Sequence, residues 1–156
     1  MTQVRAAAVT VGQLIDQVHK RFADANLSYG HGTDNAWDEA VYLVLWMTDS
    51  ADDESSLALT VSVERVEEIV ALSTQRIEQR VPLALLLGCC QFMGYEFLLE
   101  PGVVVPRSPI GYLIDGPEQP WWPKRVQRIL DLCSGSGCLG IVAAHSFPDA
   151  QVTLVE

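Results

Sequence analysis

A chain of 156 residues is long enough for one ordinary domain or two small ones, and its 49% apolar residues suffice for a core, which excludes a disordered polypeptide. Twenty acidic residues against ten basic ones give a net charge of -10, a surface that repels phosphate backbones; direct nucleic-acid binding is not expected. A basic protein is the partner such a field attracts.

The first apolar recurrence is Val11, Leu14, Ile15, Val18 and Phe22, at spacings of three and four, which predicts an amphipathic helix over Val11–Phe22. A loop rich in Gly, Asp, Ser and Asn follows over 26–35. Asp34 or Asn35 can then cap a second helix from about Trp37, with Ala40, Val41, Val44, Leu45 and Met47 as its buried set. The polar cluster 49–56 ends it. A third helix is predicted over 62–80, with Val63, Val66, Ile69, Val70, Ser73 and Ile77 inward and Glu64, Glu67, Glu68, Gln75 and Glu78 in water. Pro82 prevents its continuation. Leu83–Leu87 reads as a short helix or buried connector.

The texture changes after Pro82. QFMGYEFLLEPGVVVPR predicts two or three short strands, with turns at Gly94 and at Pro101-Gly102. PRSPIGYLID offers a capping Ser108 and Pro109 at the first helical position, so a short helix carrying Ile110, Leu113 and Ile114 is expected. The proline-rich stretch 116–124 is a linker, in which Trp121 and Trp122 are expected to pack over a domain seam rather than to bind. The last thirty residues read as an α/β unit: strand VQRILDL, turn CSGSG, helix CLGIVAAHSF and strand QVTLVE. Such a unit gives two parallel strands, with one sheet face left uncovered.

Gly135, Gly137 and Gly140 form a G-x-G-x-x-G pattern between a predicted strand and helix, which marks a Rossmann-like nucleotide site. Two ligand classes compete for it. A dinucleotide would rest its pyrophosphate on the helix N-terminus. Asp131, four residues before Gly135, suits instead a ligand with a positive amino group, such as S-adenosylmethionine, unless it only caps the turn. Glu156, 21 residues after Gly135, can accept hydrogen bonds from ribose hydroxyls of either ligand. Arg107 is the one basic residue of its segment worth testing for ligand contact.

DLCSGSGCLGIVAAHSFPDAQVTLVE, preceded by PGVVVPRSPIGYLI and RIEQRVPLALLLG, resembles the protein-(glutamine-N5) methyltransferases. The PRSPIG form, rather than PRxxTE, is similar to the branch acting on ribosomal protein L3, and the resemblance covers roughly residues 60–156. It implies an α/β fold with an N-terminal helical substrate-recognition domain (1–88), a β-hairpin and linker (89–124), and the start of a Rossmann-like class I methyltransferase domain, truncated after its first β-α-β unit (125–156). The implied activity is S-adenosylmethionine-dependent methylation of a glutamine side-chain nitrogen in L3. Asp131, Gly135 and Gly137 would line the methionine end of the cofactor, Glu156 would hold its ribose, and Arg107 would lie near the entrance. Tyr112 stands where this branch commonly has glutamate.

The family's catalytic Asn-Pro-Pro-Tyr is nowhere in the sequence, so no catalytic residue is assigned and the chain alone is expected to be inactive. Two other readings stand beside this one: a module that binds the ribosomal protein without methylating it, and a fragment of an NAD-dependent oxidoreductase, which Asp131 argues against. His19, His31 and His145 are too scattered for a metal site, and Cys89, Cys90, Cys133 and Cys138 do not form a disulfide framework. With neither a signal peptide nor an apolar run of membrane-span length, a cytoplasmic protein is expected.

Overall fold

A computed structural model describes residues 8–30, 32–115, 120, 122–123 and 125–156. The expectations for His31 and Trp121 therefore lie outside the described residues. The contacts divide the chain into two compact units, Met1–Leu86 and Leu87–Glu156.

The first unit is helical. α1 (Val11–Asp24) begins with a reciprocal cap: the Gln13 backbone N–H donates to Thr10 Oγ1 at 3.3 Å, and the Thr10 N–H donates to Gln13 Oε1 at 3.1 Å. All five of its predicted inward residues are buried. α2 (Ala36–Thr48) is capped by Asn35, whose side chain accepts from the Asp38 N–H at 3.0 Å, and it ends at Asp49 in the left-handed region (φ 51°). Of its expected inner set, Ala40 and Val44 are buried, while Val41, Leu45 and Met47 are only half-buried; Leu43 and Glu39 are buried instead. A helix apolar nearly all round gives periodicity nothing to phase on.

α3 (Val63–Gln79), capped by Ser62, buries only part of its expected inner set, Ile69 and Ser73 fully and Val66 and Ile77 by half. Ile69, Ser73 and Arg76 are buried, whereas Val63 is 60% and Val70 39% exposed. The cause is polar. Arg76 Nε donates to Glu39 Oε1 at 3.0 Å and an Arg76 terminal nitrogen donates to the Ser28 carbonyl at 2.9 Å, so a guanidinium takes a buried place that hydrophobic patterning does not assign to the inner side. Arg21 reaches Ser73 and the Thr74 hydroxyl, tying α1 to the same face. The boundary between the units falls within α4 (Leu83–Leu87).

In the second unit, β1 (Cys89–Phe92) and β2 (Tyr95–Leu98) form an antiparallel hairpin with Phe92 opposite Tyr95. Met93 (φ 50°) and Gly94 (φ 77°) make its two-residue turn, both left-handed as the strand twist requires. The hairpin starts two residues earlier than the sequence suggests, and Val103–Val105 does not form a third strand. The Val103 N–H turns back to the Glu100 carbonyl at 3.2 Å, with Pro106 following. α5 (Ile110–Ile114) starts one residue late. Pro109 is its cap position rather than its first helical residue, though Ser108 Oγ does accept from the Ile110 N–H at 3.2 Å. Of the three apolar residues assigned to it, Ile114 is buried, while Ile110 and Leu113 are exposed.

β3 (Arg128–Leu132) and β4 (Gln151–Val155) pair in parallel through α6 (Cys138–Ser146), with Asp131 opposite Leu154. Ile114, Val142 and Ala143 form a core over which Phe92, Tyr95, Trp122 and Phe147 pack. Trp122 meets Phe147 edge-on at 5.5 Å and its indole N–H donates to the Leu113 carbonyl at 3.0 Å, so packing within the second unit is its role. The hairpin belongs to this core with the β-α-β element rather than standing apart from it. On the sheet face away from α6, Leu130 and Leu132 are exposed. The mixed α/β reading therefore holds in its coarse form: a helical unit, and a unit with two small two-stranded sheets.

Candidate functional site

β3 delivers the chain into a bend whose residues alternate in hand. Cys133 (φ 56°), Gly135 (φ 55°) and Gly137 (φ 74°) are left-handed. The bend is held by the Ser134 N–H donating to the Val155 carbonyl at 3.1 Å and the Gly137 N–H donating to the Ser134 carbonyl at 2.8 Å. Strand alternation turns half-buried Asp131 toward α6. There its Oδ2 accepts from the Gly140 N–H at 2.9 Å. Since α6 has Gly137 at its cap position and no side-chain cap, Asp131 supplies from the neighbouring strand what a capping residue supplies locally. Its other carboxylate oxygen accepts no hydrogen bond from the described residues.

Glu156, at the end of β4, reaches back across the bend, where its Oε2 accepts from the Gly135 N–H at 2.5 Å. Asp131, Gly135, Gly137 and Glu156 thus lie together around the bend. Arg107 is exposed in the loop before α5.

The three glycines are not equivalent. A Cβ on Gly137 would lie 2.8 Å from Leu154 Cδ2, and one on Gly140 would lie 2.9 Å from Leu154 Cγ and 3.2 Å from Asp131 Oδ2. These two positions let α6 close down on β4. Only Gly135 opens onto free space. Leu154 is the residue that sequence reasoning missed, and its alternation with Val152 on β4 was the available signal.

Cys133 is exposed beside the bend, while Cys89, Cys90 and Cys138 are buried, and no disulfide joins cysteines among the described residues. Burial, with the Cys89 and Cys138 sulfurs adding to it, pushes the Cys90 thiol up to about 11. Iodoacetamide at mildly alkaline pH is accordingly expected to alkylate Cys133 well before Cys90, with peptide mass spectrometry as the readout. Among the described residues no three His, Cys, Asp or Glu side chains gather as metal ligands, and no helix is long and apolar enough to cross a membrane.

A glycine bend at the carboxyl end of a parallel strand, with acids at both strand ends, is the arrangement in which α/β folds commonly place a nucleotide. No family model matches the chain. It is, however, similar to proteins named ribosomal protein uL3 glutamine methyltransferase: 41% identical to that of Burkholderia pseudomallei over 94% of this chain and 49% of the relative. The Bordetella pertussis protein is 42% identical over 94% and 51%, and the Neisseria gonorrhoeae protein 36% identical over 99% and 53%. Over this shared stretch the chain is related to these uL3 glutamine methyltransferases. The chain spans about half the length of the curated relatives it matches.

Proposed function

We propose that the glycine bend binds S-adenosylmethionine, in a cytoplasmic enzyme that methylates a glutamine side-chain nitrogen of ribosomal protein uL3. The observation carrying the cofactor reading is the disposition of Asp131. One of its oxygens is committed to the Gly140 N–H at the start of α6, so the helix end where a pyrophosphate would settle already holds a carboxylate. The remaining oxygen suits an ammonium group, and Glu156 suits a pair of ribose hydroxyls. Two acids around one bend repel a diphosphate and attract a cationic amino acid portion. Gly135, whose surroundings are open, allows close approach; Gly137 shapes the bend, and Arg107 is assigned to the entrance.

The bound cofactor would supply an activated methyl group. The residues of this chain would bind and orient it, and the helical domain expected over 1–88 is assigned to substrate recognition. An amide nitrogen is a poor nucleophile because its lone pair is delocalised, so the reaction needs the nitrogen held against the methyl group and its N–H protons hydrogen-bonded. None of residues 1–156 is assigned that clamp.

Calorimetric titration tests the cofactor reading. S-adenosylmethionine and S-adenosylhomocysteine are expected to bind and NAD not to, with Asp131→Ala weakening the first by roughly tenfold or more. Tighter binding of NAD, or an unchanged affinity in Asp131→Ala, would overturn it.

A further inference from the structure

The first unit contains a groove of about 390 Å³ that the glycine bend does not involve. Val11 of α1, the end of α2 from Met47 to Ser50, the extended stretch 59–62 and Arg65 of α3 line it. Thr10 and Thr60 pair as an isolated antiparallel bridge. The Val11 N–H donates to the Leu59 carbonyl and the Val61 N–H to the Val9 carbonyl, each at 2.9 Å. Residues 59 and 61 therefore bond toward the segment preceding α1, and strand alternation turns the N–H and carbonyl of Thr60 the other way. Neither takes part in a hydrogen bond among the described residues. Thr60 is a strand edge within the lining of a groove.

Charge favours one kind of occupant. α2 has no basic residue in its last turn and is followed directly by Asp49, so the negative end of its dipole and a carboxylate meet at the groove uncompensated. Arg65, the cation in the lining, is already paired with Glu68 at 2.7 Å. The exposed loop beyond adds the charge of Asp53, whose carboxyl is held below its ordinary range by hydrogen bonds from Ser55 and Ser56. Apolar surface is available too, since Leu59 is 53% exposed.

We infer that this groove takes an extended peptide bearing lysine or arginine. The peptide adds as a strand to the Thr60 edge, lays an apolar side chain on Leu59 and sets its cation against Asp49 and the end of α2. This goes beyond the cofactor assignment and does not depend on it: a failed cofactor titration would leave it intact.

Fluorescence anisotropy on the full chain tests it, with a labelled Thr-Val-Lys-Val-Lys-Val-Thr peptide and its counterpart carrying Glu for Lys. The lysine peptide is expected to bind, more weakly at high salt, and the glutamate peptide not to bind. Asp49→Asn, which removes the charge while tolerating the left-handed backbone, is expected to weaken binding by roughly tenfold with an unchanged melting curve. Thr60→Pro removes the edge N–H and is expected to weaken it as well. Should Thr60→Pro not fold, Asp49→Asn decides. Absence of binding by the lysine peptide, equal binding of the two peptides, or parental affinity in Asp49→Asn would overturn the inference.

Discussion

Arg76→Ala is expected to destabilise the helical unit by about 3–5 kcal/mol, read as a lowered urea midpoint. Arg76 and Glu39 are each 3% exposed and are joined at 3.0 Å. Truncating the arginine leaves a buried carboxylate without its counterion and the Ser28 carbonyl without its donor. The charge also reaches Tyr29: burial pushes its phenol above the ordinary value, the Glu39 charge adds to this and the Arg76 charge opposes it. Replacing both partners by apolar residues (Arg76→Met with Glu39→Leu) is expected to recover much of the loss, because that change removes the stranded charge as well as the pair. A double variant as unstable as Arg76→Ala would instead assign the loss to packing volume.

Gly140→Ala is expected to destabilise the second unit by about 1–3 kcal/mol, against the gain that alanine normally brings inside a helix. The added methyl group would stand 2.9 Å from Leu154 Cγ and 3.2 Å from Asp131 Oδ2. Either α6 lifts from β4, lengthening the Asp131 hydrogen bond, or Leu154 leaves its rotamer. Adding Leu154→Ala in the Gly140→Ala background is expected to be less damaging than Leu154→Ala alone, and thermal denaturation of the four proteins would give the coupling. Additive effects would show that Leu154 is not what keeps position 140 small.

What was legible in the sequence was local. α1 was readable because its five inward residues sit on one narrow stripe, and all five are buried. The cap of α2 was readable to within one residue, as Asp34 or Asn35, because capping needs a residue only three positions away. The β-α-β order and the gathering of Asp131, Gly135, Gly137 and Glu156 followed from strand, turn and helix signals close together in the chain. What escaped was set by partners distant in sequence. Glu39 and Arg76 lie 37 positions apart, and an inward charge leaves no mark on a hydrophobic pattern. Nothing local to Gly140 says that Leu154 will press on it. The stretch Val103–Val105 has strand-forming residues but no neighbour to pair with, and it became a turn.

The carboxylate of Glu156 rests on the N–H of Gly135, the glycine of the bend with nothing near its missing side chain. That N–H is consequently not idle: an incoming molecule that wants it must first evict a tenant. Its measured dissociation constant is then the intrinsic one divided by the fraction of molecules in which the acid has swung clear. The same carboxylate is thus latch and grip in turn: only after letting go of the bend is it free to receive the newcomer's ribose.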